Sequence, residues 1–448
     1  MKFGTKAIKV DDIEVEGSKV KDFPTDNNVF VNSSTRKLVA QKLLSHVNPE
    51  AASKANYDDL LGSVKTAVNQ ICEDEKIVLN TRELDKLSRE LADDMVGLGP
   101  LQGLIDDDNI TDIMVCGVSE IYVDRRGRGR HLTSESFRDS AHLTAVAQRI
   151  ARNVGRTVDE SSPLVDARLK DGSRVNIVLP PIALDGAAIS IRKFPAQSLG
   201  LRDLMNNNSM SEECMEFLTM AAYGRMNVLV SGGTGSGKTT LLNAITAFFD
   251  PSERIVTIED AAELRVQQPH VVRLETKVRS SEGGQGVNQT DLVKNALRMN
   301  PDRIIVGEVR GGEAFDLLQG MNTGHDGSIS TLHSNTPRDA LSRLENMVMM
   351  AGFDLPARAI RSQIASAVDI VIQVEKMRDG VRRVSKVSEV TGIEGEVIAM
   401  QDLFEFQIKN YSPTMITGDW KKSQSKPQNM AKFRAAGIEG KVQELFKN

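Results

Sequence analysis

Eight residues, Gly232-Gly233-Thr234-Gly235-Ser236-Gly237-Lys238-Thr239, constrain this chain more than any other stretch. They satisfy G-x-x-x-x-G-K-[ST] directly after an apolar run at 227–230 and directly before a helical pattern at 240–248. That is the strand-to-helix context a phosphate-binding loop requires. Glycines let backbone N–H groups converge on phosphate oxygens where a side chain would collide. The following helix turns its positive N-terminus toward the same anion. Lys238 can reach the β and γ phosphates of a nucleotide, and the Thr239 hydroxyl is placed to complete the coordination of Mg2+. The loop from Gly232 to Thr239, with the adjoining Thr240, supplies the candidate nucleotide contacts.

Such a loop serves ATPases, GTPases and nucleotide kinases alike, so other residues must select among them. No Asn-Lys dipeptide occurs in the chain, which removes the guanine-reading N-K-x-D motif and leaves ATP as the expected nucleotide. Apolar runs at 228–230, 255–258, 304–306 and 329–332 alternate with helical patterns, the signature of a parallel sheet. Two of these runs end in acids: Glu259 and Asp260, with Glu263 shortly after, and Glu308 behind Gly307. In an open α/β sheet, ligands bind outside the carboxyl ends of the strands. Glu308 is the candidate for orienting the water that attacks the γ-phosphate, with Glu263 as a second carboxylate. The run at 329–332 is bracketed by His325 and His333. Imidazole can donate to an oxyanion and change partners when that charge leaves, so these two could sense the γ-phosphate. A metal site and plain structural histidines are the competing readings.

At 448 residues the chain is long enough for two or three cores. Residues 1–35 mix charges with isolated apolar residues and read as a mobile arm, and 36–104 as a helical module. Its clearest helix carries Leu84, Leu87, Leu91 and Met95 on one stripe behind an Asn80–Glu83 capping box. Short alternating runs at 113–115, 121–123, 175–178 and 189–191 mark a mixed α/β domain over 105–194. A linker is expected at 195–208, closed by a Ser209–Glu212 capping box, and the ATPase domain at 209–448. Runs at 368–374 and 384–390 flank Asp379-Gly380 and predict a hairpin, while the tail after Tyr411 gives no readable pattern. The basic run from Arg125 to Arg130 reads as a solvated hairpin tip, and 280–286 as a flexible loop.

Charge narrows the partners. Lys plus Arg number 56 against 61 Asp plus Glu, a formal net charge of -5 that offers no general attraction to nucleic acid. Three scattered cysteines provide neither a metal knuckle nor a disulfide framework. No apolar stretch approaches the roughly 18 residues of a membrane span, and the first residues lack a signal-peptide core. A cytoplasmic protein without a transmembrane segment is the expectation.

Four blocks in order carry a resemblance: the loop 232–239, the acidic 257–263, the stretch 297–310 and the histidine block 323–333. They resemble the Walker A, Asp box, atypical Walker B and His box of the secretion ATPase superfamily, the motors of type II and type IV secretion and of type IV pili. Stretches 95–103, 110–117, 155–176 and 189–194 look most like the ATPases of the tight-adherence, or Flp, pilus. The resemblance covers about residues 95–405.

It implies an α/β fold: a RecA-like P-loop ATPase domain with a parallel sheet, preceded by a mixed α/β, PAS-like domain and an N-terminal helical module. It also implies ATP and Mg2+ as cofactors, a catalytic Glu308, and Glu259, Asp260 and Glu263 serving metal and water. His325 and His333 would couple nucleotide to movement, and Arg174 and Arg192, with Arg168 as a further candidate, would reach the phosphates. Guanidinium stays charged and offers a planar fork to phosphate oxygens. The implied assembly is a homo-hexamer acting on inner-membrane pilus platform proteins, peripherally associated with that membrane, with no direct nucleic acid contact. Gly307 stands where most P-loop ATPases place an aspartate, which shifts Mg2+ onto Thr239, water and the acidic block. The tetracysteine zinc motif of many type II enzymes is absent, which favours the pilus branch. A nucleic-acid-translocating motor and a catalytically silent ATP-binding ring are the two rival readings.

Overall fold

The computed structural model describes residues 32–46, 56–125, 129–169, 171–193, 199–277, 286–412 and 415–447. Residues 1–31 of the expected arm, the tip 126–128 of the basic run and most of the 280–286 loop lie outside the described residues. The chain divides into two compact units, 1–167 with 175–191, and 168–174 with 192–448.

The first unit opens with helices Ser33–His46, Tyr57–Asp74 and Thr81–Met95, so 33–35 of the expected arm are already helical. Val39, Leu43, Leu60, Val64, Val68, Ile71, Leu87 and Leu91 form their shared core. The Asn80 side chain accepts from the Glu83 amide at 2.9 Å while Glu83 accepts from the Asn80 amide at 2.8 Å, the reciprocal cap expected from the sequence. Six strands follow: β1 (Ile110–Cys116), β2 (Ile121–Arg125), β3 (Gly129–Leu132), β4 (Leu164–Arg168), β5 (Arg174–Val178) and β6 (Ala188–Arg192). They form one sheet in the order β3-β2-β1-β6-β5-β4. Ile113 and Val115, Ile121 and Val123, Val175 and Ile177, and Ile189 and Ile191 alternate inward and are buried, as period-two patterning demands. Strands β3 and β4 escape a reading by hydrophobicity because β3 is exposed throughout and β4 buries only Val165 among its side chains.

The second unit corrects part of the expected linker, whose residues 195–198 lie outside the described residues. Residues 201–206 are a helix, Leu201–Asn206, because Leu201, Leu204 and Met205 fall on one face and pack into the core of this unit. The expected Ser209–Glu212 cap also shifts: Ser211 is the N-cap of helix Glu212–Tyr223 and accepts from the Cys214 amide at 3.2 Å. Ser209 instead gives its carbonyl to the Val384 amide at 2.7 Å.

Nine strands follow: β7 (Val228–Gly232), β8 (Ile255–Glu259), β9 (Val271–Glu275), β10 (Arg303–Val306), β11 (Ile329–Leu332), β12 (Ile370–Lys376), β13 (Arg382–Glu394), β14 (Val397–Tyr411) and β15 (Ile416–Lys422). Their order is β15-β14-β13-β12-β7-β11-β10-β8-β9. From β12 through β9 every neighbouring pair is parallel, and β12, β13, β14 and β15 are joined antiparallel.

Strands β7, β8, β10 and β11 are buried throughout, while the edge strand β9 is not. Val228, Val230, Ile305, Ile329 and Ile372 join the core beneath helices Glu212–Tyr223 and Lys238–Thr246. Leu229, Val256, Ile304, Val306 and Val371 join the opposite core beneath helices Glu313–Asn322, Pro337–Met350 and Ala357–Ala367. Near-continuous apolar runs in the sequence are the consequence. The tail also has structure: β15 pairs with β14, and Phe433, Val442 and Phe446 pack around Phe217, which explains why so polar a segment is ordered.

Candidate functional site

The glycine-rich loop leaves the carboxyl end of β7, and its helix, Lys238–Thr246, begins two residues earlier than the 240–248 expected. Gly232 cannot be replaced: a Cβ there would sit 2.2 Å from the Val374 carbonyl oxygen of the neighbouring strand. Gly237 has φ 100, a conformation glycine adopts without strain. Lys238 folds back so that Nζ donates to the carbonyls of Gly232 at 3.0 Å and Gly233 at 3.1 Å. Burial holds its ammonium below the ordinary value, against the opposing pull of Glu308. Thr239 and Thr240 lie in the first helical turn, while Gly233, Thr234 and Gly235 are exposed.

Parallel register brings the other blocks to the same edge. Leu332 pairs with Ser231, so His333 emerges beside the loop, and its Nδ1 lies 3.4 Å from Lys238 Nζ. Its Nε2 lies 2.7 Å from Glu308 Oε1. Burial and the Lys238 charge push the imidazole below its ordinary pKa, with Glu308 pulling the other way. Glu308 follows β10 by two positions, and its second oxygen accepts from Arg310 Nη2 at 2.5 Å. Lys238, His333, Glu308 and Arg310 thus form one line of alternating partners along the sheet edge.

Acid positions divide by environment. Glu259, last residue of β8, is buried, and its Oε2 accepts from the amides of Glu263 at 2.7 Å and Leu264 at 3.0 Å. Burial pushes its carboxyl up to about 7. Its Oε1 is buried without a hydrogen-bond partner among the described residues. Asp260 is exposed and pairs with Arg310 Nη1 at 3.3 Å. The Glu263 carboxylate is close enough to raise the Glu259 pKa. The glycine at 307 has a steric cause, because a Cβ there would lie 2.9 Å from Glu259 Cγ. Glu259 occupies the room that an aspartate at 307 would need.

His325 is a correction. It precedes β11 whereas His333 follows it, so the strand separates the two histidines to opposite edges of the sheet. His325 lies against the Gly320 carbonyl at 3.3 Å and plays no part in the constellation at the loop. Arg174 opens β5, Arg192 closes β6 and Arg168 closes β4, all on the smaller sheet. The constellation around the loop is built by the larger sheet.

Three contributors were missed as site residues. Arg310 sits within the 297–310 block, and its place two residues beyond Glu308 was the available signal. Gln373, buried on β12, lies in hydrogen-bond contact with Ser231 Oγ and donates to the Ser334 carbonyl at 3.2 Å, tying the loop strand to the histidine segment. Arg382, at the start of β13, donates from Nε to the Gly235 carbonyl at 2.8 Å. Neither of the last two stands in a motif, and only strand pairing reveals them.

The residues fit a magnesium nucleotide. Lys238 and the loop amides would hold phosphate, and the Thr239 hydroxyl, with the unpaired Glu259 oxygen and Asp260, would serve the cation. Mg2+ takes one or two protein ligands beside phosphate and water. Among the described residues no group of three or more His, Cys, Asp or Glu is arranged to hold a metal by itself.

A doubly covered parallel sheet, with the glycine-lysine loop at the end of a central strand and a glutamate two strands away, defines a P-loop α/β protein. The chain belongs to the Type II/IV secretion system protein family, whose pattern matches residues 94–401. It is 37% identical over 318 residues, 70% of this chain and 90% of the relative, to a putative conjugal transfer protein of Mycobacterium tuberculosis. It is 38% identical over 292 residues to type IV secretion system protein PtlH of Bordetella pertussis, covering 58% and 84% of the two chains. Among solved structures it is similar to the VirB11 ATPase from the Brucella suis type IV secretion system, with 30% identity, 65% and 92% coverage and a TM-score of 0.36. No described helix is long and apolar enough to cross a membrane.

Proposed function

We propose that this chain is an ATP-hydrolysing motor that powers assembly, and in some settings retraction, of a tight-adherence-type pilus or the secretion of protein subunits. The observation that supports the reading best is the line Lys238, His333, Glu308: a phosphate-seeking cation and a water-orienting carboxylate joined by an imidazole at one sheet edge. When nucleotide binds, Lys238 exchanges its two carbonyl partners for phosphate oxygens. Glu308 then orients water against the γ-phosphate and takes its proton. Bound Mg2+ neutralises charge on the phosphates. His333, touching both groups, registers the loss of the γ-phosphate as a change of partner.

A RecA-like larger domain, a homo-hexameric ring, and Arg174 and Arg192 reaching the phosphates complete the reading. Closure around ATP and release after hydrolysis then become motion, provided ATP binds the closed state better than ADP does. The ring would act in the cytoplasm on inner-membrane platform proteins. The relatives named for conjugal transfer and type IV secretion favour a second reading, in which the same motor serves a secretion channel.

The test is phosphate release by the full chain with ATP and Mg2+, comparing wild type with Glu308→Gln, with and without single-stranded DNA. Turnover lost in the variant and indifferent to DNA supports the motor. Stimulation by DNA, falling steeply with salt, would replace it with a translocase, and a Glu308→Gln variant as active as wild type would overturn the catalytic assignment.

A further inference from the structure

We propose that Arg382 binds the ribose and base end of the nucleotide; the inference rests on the nucleotide reading above. Arg382 is exposed, its Nε donates to the Gly235 carbonyl at 2.8 Å, and its Cδ lies 3.2 Å from where a Cβ on Gly237 would stand. It therefore rests on the outer wall of the phosphate loop. Guanidinium carries five N–H donors, and Nε alone has a hydrogen-bond partner among the described residues. Propping a carbonyl needs one donor and no charge. A full guanidinium is surplus to that task.

The hairpin fixes where this cation stands. Arg383, next in sequence, is buried and forks onto Asp379 through Nη1 at 3.0 Å and Nη2 at 2.8 Å. Asp379 also accepts from the amides of Val381 at 3.1 Å and Ile416 at 3.2 Å. The Arg382 backbone is thus clamped, and only its side chain is free to turn.

Strand order supplies the direction. The sequence across the sheet is β13-β12-β7-β11-β10, and Arg382 pairs with Lys376 at the carboxyl end of β12. His333 and Glu308, which mark the γ end, leave β11 and β10 on one side of the loop, while Arg382 stands on the other. A nucleotide with its terminal phosphate toward Glu308 therefore extends its nucleoside toward the β12–β13 hairpin. There the two Nη groups meet ribose and purine acceptors, and the planar guanidinium can stack on the base.

The test uses calorimetric binding of magnesium ADP and of magnesium tripolyphosphate, which has the phosphates but no nucleoside, to the full chain and to Arg382→Ala. The expected result is ADP affinity weakened about tenfold or more beyond any weakening of tripolyphosphate affinity, and retained tripolyphosphate binding shows that the variant is folded. Equal weakening of both ligands would mean that Arg382 only braces the loop, and no weakening of either would mean that it touches nothing. Each result overturns the inference and leaves the nucleotide reading standing. A wild-type chain that binds tripolyphosphate but not ADP overturns the nucleotide reading and this inference with it.

Discussion

Arg310 donates through Nη2 to Glu308 Oε2 at 2.5 Å while its Nη1 stands 3.3 Å from Asp260. One guanidinium thereby ties the end of β10 to the end of β8 and holds the carboxylate proposed to aim water. Its pKa is raised above the ordinary arginine value, chiefly by the hydrogen bond to Glu308. Replacing it by alanine should lower kcat about tenfold to a hundredfold, the usual scale for a hydrogen bond between charged groups. ADP affinity should change little. Arg310→Lys should recover only part of the loss, because an ammonium cannot fork across two acids. Steady-state phosphate release beside ADP calorimetry measures both, and full recovery by lysine would refute the bridging role.

Glu259 makes stability depend on pH. Its carboxyl, ordinarily near 4.5, is pushed up to about 7 by burial. Between these values the folded chain keeps a proton that the unfolded chain has lost. The contribution is therefore fully present below about pH 4.5 and is lost as pH rises through about 7, amounting to roughly 3 kcal/mol at most. Melting temperature of the nucleotide-free chain should fall between pH 5.5 and 8, and Glu259→Gln should flatten that slope. Adding Mg2+ with ADP should also flatten it, since a cation beside Oε1 favours the ionised form. An identical slope in Glu259→Gln would show that another group is responsible.

The loop 232–239 and the strands around it were legible because each carries a local signal: glycine spacing, an apolar run, an acid at a strand end. Spatial order was not legible, and the misplaced and overlooked site residues come from there. His325 and His333 look equivalent in sequence, yet a four-residue parallel strand puts them at opposite edges. Arg382 and Gln373 carry no local signal, since β12 and β13 become neighbours of the loop only after the sheet assembles. The helix at 201–206 reads as linker in the sequence because Gly200 and the asparagine run resemble loop punctuation, while Leu201, Leu204 and Met205 supply a stripe too short for periodicity to detect. The tail after Tyr411 is polar by count, but a few well-placed aromatics anchor it.

The glycine at 307 should be as intolerant as those of the phosphate loop, for a different reason. A Cβ would stand 2.9 Å from Glu259 Cγ, and Glu259 is itself held by two amides and cannot withdraw. Gly307→Ala should cost about 1–3 kcal/mol, the scale of overpacking, and should lower turnover by displacing the adjacent Glu308. In Glu259→Ala, which lacks Cγ, the same substitution should cost much less. A double-mutant cycle by urea unfolding reads this coupling, and additive effects would disprove the steric account.

Far from the phosphate loop, at the amino end of β10, the Arg303 side chain is fully buried. Its Nε donates to Glu253 Oε2 at 2.6 Å, Nη2 to Oε1 at 3.1 Å and Nη1 to the Ala222 carbonyl at 2.8 Å. The guanidinium also lies 4.0 Å from the Phe249 ring centroid. Burial lowers the arginine pKa and the Glu253 pair opposes that shift. Removing one partner strands the other in a dry environment, where Arg225, 3.5 Å from Glu253, is the remaining cation. Arg303→Met should therefore destabilise the larger unit by about 3–5 kcal/mol, and adding Glu253→Leu should restore most of it, because the pair costs more to break than to replace. Urea midpoints of the two variants measure this. A double variant no more stable than the single one would mean that the ion pair contributes more than its desolvation costs.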